Sequence, residues 1–152
     1  MPVPMLLAAL AAQAMTPAPQ PAVDFTIATP TPGVWSYRPG VGATNAVFTD
    51  LTGAARLSLS CTRLTRRVTI TRTAVAGAAA ALYVWTTSAQ RGVAASFNPA
   101  TMTLSAELVA RDGLLDAIAF SRGRFAVYAV GLAPLVVPAS PEAARVFEDC
   151  RI

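Results

Sequence analysis

The stretch Arg56-Leu57-Ser58-Leu59-Ser60-Cys61-Thr62-Arg63-Leu64-Thr65-Arg66-Arg67-Val68-Thr69-Ile70-Thr71-Arg72 decides the fold. Leu57, Leu59 and Cys61 alternate with Arg56, Ser58 and Ser60, so an extended chain here has one apolar and one polar face. After Thr62-Arg63-Leu64-Thr65 the alternation resumes, with Val68 and Ile70 opposite Arg67, Thr69 and Thr71. So short a separation between two period-two segments predicts a β-hairpin.

Outward from the hairpin, strands are expected at Val34 to Arg38, Ala46 to Thr49, Ala81 to Thr87, Thr101 to Leu108, Arg124 to Val130 and Pro134 to Val137, with Ala81 to Thr87 continuing the sheet. Two stretches break the rhythm. Asp112 to Ser121 sets Leu114, Leu115, Ile118 and Ala119 at helical spacing, with Asp112 as cap and Gly123 as stop. Ser140-Pro141-Glu142 supplies a capping residue, a proline for the first helical position and an early carboxylate, so a helix should run from Pro141 to about Glu148. Its inward face is expected to be Ala144, Val146 or Phe147, and Cys150. The class predicted is mainly β (α+β): an antiparallel β-sheet or β-sandwich with one short internal helix and a C-terminal helix tied by a disulfide.

The N-terminal segment reads as an export signal. Met5 to Ala12 is apolar, and Ala12-Gln13-Ala14 fits a small-x-small cleavage pattern, although no Lys or Arg precedes the run. Residues 1–14 are therefore expected to be a signal peptide, residues 15–31 a flexible Pro/Ala/Thr-rich linker, and residues 32–152 a single β-rich domain. Within the linker, Val23 to Ile27 alternates briefly and could form a short edge strand. Hydrophobic residues make up 54% of the chain and charged ones 13%, a balance that raises the question of a membrane protein. The run from Ala74 to Trp85 answers it: interrupted by Gly77, it falls short of the ~20 residues a spanning helix needs. No transmembrane segment is expected in the mature chain, and the location expected is periplasmic or secreted.

Cys61 points to the core side of its strand and Cys150 ends a helix that must dock on the sheet, so a Cys61–Cys150 disulfide is the economical reading in an exported chain. Two free buried thiols are the alternative if the chain stays in the cytosol. Neither cysteine has a CxxC partner and the chain contains no histidine, which argues against thiolate chemistry.

Absence of histidine also removes Ser-His-Asp and Cys-His catalysis and the usual histidine-ligated metal sites; no metal and no cofactor is expected. Eight carboxylates remain for acid-base work: Asp24, Asp50, Glu107, Asp112, Asp116, Glu142, Glu148 and Asp149. Asp112 and Asp116, four apart on a helix, would share a face and could flank a bound cation or a glycosidic bond, with Glu107 as a further candidate; capping and solvated surface explain them better. All twelve basic residues are arginine, and a net charge of +4 over a whole domain makes no case for nucleic acid. Arg63, Arg66, Arg67 and Arg72 gather about the hairpin, where they could bind phosphate or carboxylate groups, and Arg122 and Arg124 flank another turn. Tyr83 and Trp85 share a strand face and could stack on a glycan or a peptide, or simply pack.

Leu57-Ser58-Leu59-Ser60-Cys61, the hairpin, Ser96-Phe97-Asn98-Pro99, an alanine-rich helix at Leu114 to Phe120, the strand Arg124 to Val130, Gly131-Leu132 and a late cysteine follow one another in an order that resembles the periplasmic TagO (VasI-like) type VI secretion-associated family. The ending from Pro141 to Arg151 is similar to that of uncharacterised exported proteins of α-proteobacteria. The resemblance implies a periplasmic β-rich domain with a structural disulfide, an accessory to an envelope or secretion machine, and supplies no catalytic residue to carry over. The function expected is that of a non-enzymatic envelope protein binding a partner protein or a cell-wall component; the alternative is a hydrolase of an envelope polymer using a carboxylate pair.

Overall fold

The structure, a computed structural model, describes residues 23–78 and 80–152. Residues 1–14, read as a signal peptide, and the start of the expected linker lie outside the described residues. Nine strands and two helices follow in the order β1 (Gly33–Pro39), β2 (Ala43–Asp50), β3 (Ala55–Thr62), β4 (Arg67–Thr73), β5 (Ala81–Trp85), β6 (Gln90–Asn98), β7 (Thr103–Val109), α1 (Gly113–Ala119), β8 (Arg124–Tyr128), β9 (Leu135–Pro138) and α2 (Pro141–Asp149).

The strands form one antiparallel sheet in the order β1-β2-β3-β4-β7-β6-β5-β8-β9. The β3–β4 hairpin forms with Leu59 opposite Ile70 and Cys61 opposite Val68. That register puts both apolar sets on one face, as the alternation requires. β5 does not extend the hairpin: it ends at Trp85 and lies between β6 and β8, with β7 and β6 separating it from β4.

The sequence reading missed β6, because Gln90-Arg91-Gly92-Val93-Ala94-Ala95 has little β propensity and no clean alternation. It becomes a strand through its neighbours. Gln90–Ala94 pair with β5 and Ala95–Asn98 pair with β7, so this one strand joins the two halves of the sheet.

The sheet curls until its edges meet. The indole Nε1–H of Trp35 on β1 donates to the carbonyl of Pro138 on β9 at 2.9 Å. The backbone N–H of Thr31 donates to the carbonyl of Val136 at 2.8 Å. Inside lies one principal core built on Phe48, Leu57, Leu59, Ile70, Leu104, Phe125 and both helices.

Asp112 caps α1 by accepting from the N–H of Leu114 at 2.8 Å, and Gly123 sits at φ 76° in the turn before β8, where a glycine is unstrained. Ser140 caps α2, with Pro141 entering the first turn. The buried face of α2 is Ala143, Val146, Phe147 and Cys150; Ala144, expected inside, is only half-buried. α2 packs against α1 and on β1, β2 and β3. There the Cys61–Cys150 disulfide closes, with a Cα–Cα distance of 5.5 Å across 89 residues of sequence. Among the described residues no helix is long and apolar enough to cross a membrane.

Residues 23–31, expected as part of a free linker, instead form a strap on the outside of the sheet. Val23 to Ile27 is not an edge strand: Asp24 accepts from the N–H of Thr26 at 2.9 Å, and the chain turns. The turn presents Phe25, 9% exposed, to Trp85 and Tyr128 at ring centroid distances of 5.5 and 5.4 Å. Burial of one aromatic ring, together with a hydrogen bond from Arg124 to the carbonyl of Ala28, holds the strap against the sheet.

Candidate anion-binding site

The β3–β4 turn carries Arg63, Arg66 and Arg67, all exposed. Its tip is pinned rather than free. Arg66 adopts φ 51°, and its carbonyl accepts from the N–H of Ala110, just beyond β7, at 3.0 Å. From the other side Arg151 Nε donates to the carbonyl of Ala110 at 2.9 Å. Ala110 thus joins the hairpin tip to the chain following α2, which the disulfide fixes at the neighbouring Cys150.

These three segments enclose an open pocket of about 280 Å³ lined by Thr65, Arg66, Arg67, Arg111, Cys150 and Arg151 together with the end of β7. Two of the four arginines are balanced. Arg67 lies 3.5 Å from Glu107, both side chains about half exposed, so this pair adds little stability. Arg151 Nη2 lies 2.8 Å from Asp116 Oδ1, a contact that is ionic rather than an aligned hydrogen bond. Arg66 and Arg111 have no ion-pair partner among the described residues. Guanidinium groups left unpaired at the rim of a pocket suit a carboxylate or phosphate, which they can grip with two parallel hydrogen bonds.

The structure separates the other arginines assigned to this cluster. Arg63 lies on the opposite side of the hairpin, its backbone N–H donating to Gly42 at 2.9 Å. Arg72 is a correction: it is 6% exposed and points inward with Val68 and Ile70, so it cannot meet a ligand at the hairpin surface. Its guanidinium donates to the carbonyls of Thr73, Val127 and Ala133 at 3.1, 2.8 and 3.1 Å. Burial, and then the charge of Arg56, press its pKa down to about 10, which leaves it cationic at neutral pH. Three carbonyls stand where a carboxylate would be expected, tying β4 to β8 and to the loop before β9.

Tyr83 and Trp85 do lie on one face, but both are half-buried in packing. Tyr83 stacks on Tyr128 at 5.3 Å and covers Gly92, where a Cβ would come within 2.8 Å of the ring. Trp85 is roofed by Phe25. At the α2 end of β1, Tyr37 donates to Asp149 at 2.6 Å, which raises its pKa, and Arg145 rests 4.4 Å above its ring.

The carboxylates proposed for catalysis are engaged in a helix cap and in ion pairs. Asp112 accepts from Arg91 Nη2 at 2.7 Å as well as capping α1; the Arg91 hydrogen bond, ahead of the cap, holds its pKa below the ordinary carboxylate range. A general acid needs the reverse displacement. Asp116 and Glu107 face Arg151 and Arg67. Among the described residues no group of three potential metal ligands occurs.

Sequence reasoning did not find Arg111 and Arg151, because each is isolated in the chain and tertiary contacts, the β4–β7 pairing, the disulfide and the Ala110 hydrogen bonds, bring them to the hairpin. No family model, curated protein or solved structure matches the chain.

Proposed function

We propose that the chain is an exported, non-enzymatic binding domain of the bacterial envelope, periplasmic or secreted, whose hairpin pocket captures an anionic group on a partner protein or a cell-wall component. The observation behind this reading is the convergence of Arg66 and Arg111, both without carboxylate partners among the described residues, on one pocket beside a disulfide. A buried disulfide suits an oxidising compartment, and the use of Asp112, Asp116 and Glu107 in caps and ion pairs favours binding over hydrolysis. The resemblance to TagO (VasI-like) proteins adds an accessory role beside an envelope or secretion machine.

Retention of the purified domain on isolated cell-wall sacculi tests the reading. Replacing Arg66, Arg67 and Arg111 together by Ala should abolish retention at low salt while thermal unfolding stays unchanged. Retention equal to wild type would remove the hairpin as the site.

A further inference from the structure

We infer that the pocket between the hairpin tip, the end of β7 and the chain after α2 is a site for a phosphate monoester group, an inference that rests on the anion-binding reading above and names its ligand class. Charge decides the class. Four arginines line the pocket, and Glu107 and Asp116 balance Arg67 and Arg151, which leaves the two charges of Arg66 and Arg111 unmatched among the described residues. A carboxylate supplies one negative charge, whereas a phosphate monoester carries about −1.5 to −2 at neutral pH.

Geometry agrees with charge. The Ala110–Arg66 backbone hydrogen bond of 3.0 Å fixes the strand end that carries Arg111 against the turn that carries Arg66, and both unmatched residues line the pocket. The space of about 280 Å³ admits a tetrahedral oxyanion with part of the molecule bearing it, and stays open to solvent on one side. Neighbouring Cys150 is oxidised and Thr65 is neutral, so neither places a negative charge there.

Titration calorimetry of the full domain with inorganic phosphate, and separately with acetate, tests the inference. Phosphate should bind saturably, one per chain, and acetate at least about tenfold more weakly; Arg66→Gln and Arg111→Gln should each weaken phosphate binding about tenfold. Both residues lie outside the ion pairs, so unchanged melting temperatures are expected, and Arg122→Gln at a distant turn should leave binding intact. Co-sedimentation with phosphatidylcholine vesicles containing phosphatidic acid distinguishes the source: phosphate-displaceable vesicle binding assigns a lipid headgroup, and phosphate binding without vesicle binding assigns a soluble phosphorylated ligand. Equal affinity for acetate, no phosphate binding, or binding that survives both glutamine variants overturns the inference. Sacculus retention that depends on the hairpin arginines while phosphate fails to bind would keep the broader reading and sink this one alone.

Discussion

Trp35 reaches from the first strand to hydrogen-bond the carbonyl of Pro138 in the last, and its ring stacks on Phe125 at 6.2 Å. With the Thr31 to Val136 bond, this contact holds the seam of the curled sheet. Trp35→Phe keeps an aromatic ring there but leaves the carbonyl without its donor. A loss of about 1–2 kcal/mol is expected in urea unfolding, and a loss near zero would show that the indole hydrogen bond does not contribute to holding the seam.

The disulfide closes an 89-residue separation, so chain entropy sets an upper stabilisation of about 4–5 kcal/mol. Because Cys61 and Cys150 are 0% and 1% exposed, alkylation of the native protein should label neither sulfur until reductant and denaturant are both present. Intact mass before and after that treatment measures it. Two labelled thiols without reductant would refute the bridge, and with it the oxidising compartment.

Arg72→Met should destabilise the domain by about 2 kcal/mol, because the carbonyls of Thr73, Val127 and Ala133 lose their donor. Arg63→Ala, on the exposed turn, should stay within about 0.5 kcal/mol of wild type. Denaturant unfolding of the two variants side by side gives the contrast. Equal effects would mean that water reaches the Arg72 carbonyls.

Asp112 titrates below its unfolded value because Arg91 and the Leu114 N–H favour the carboxylate. In acid the unfolded chain therefore takes up this proton first. The stabilisation from Asp112 is fully present above about pH 4 and is lost as pH falls through the lower folded pKa. Asp112→Asn keeps a capping side chain but loses the Arg91 ion pair. Its melting temperature should fall below wild type at pH 7, and the gap should narrow steadily below pH 4; a gap independent of pH would assign the effect to the cap instead.

Most of the sheet was legible because alternation survives in the strands with one buried face, as in Leu57-Ser58-Leu59-Ser60-Cys61. Ser140-Pro141-Glu142 announced α2 through local chemistry that tertiary contacts did not override. β6 was illegible, since its strand state comes from β5 and β7 on either side. Arg72 occupies an inward position by the same alternation that places Val68 and Ile70 inside, but its charge argued for the surface. Phe25 was hidden by its proline- and threonine-rich surroundings, and its partner Tyr128 lies 103 residues later. Of the pocket, Arg66 and Arg67 could be read from their clustering; Arg111 and Arg151 could not, because a constellation assembled through backbone hydrogen bonds leaves no spacing in the chain.

The wide separation of the two cysteines also sets an order of events. In a chain delivered from its N-terminus, Cys61 emerges while its partner is still 89 residues away. At synthesis rates of roughly 5–20 residues per second the wait is on the order of ten seconds. During that interval β3 and β4 can pair only as a marginally stable hairpin, and α2, which covers the Cys61 end of β3 in the finished fold, is absent. The nascent domain therefore passes through a stage in which Cys61 has no partner and the sheet lacks the cover of α2.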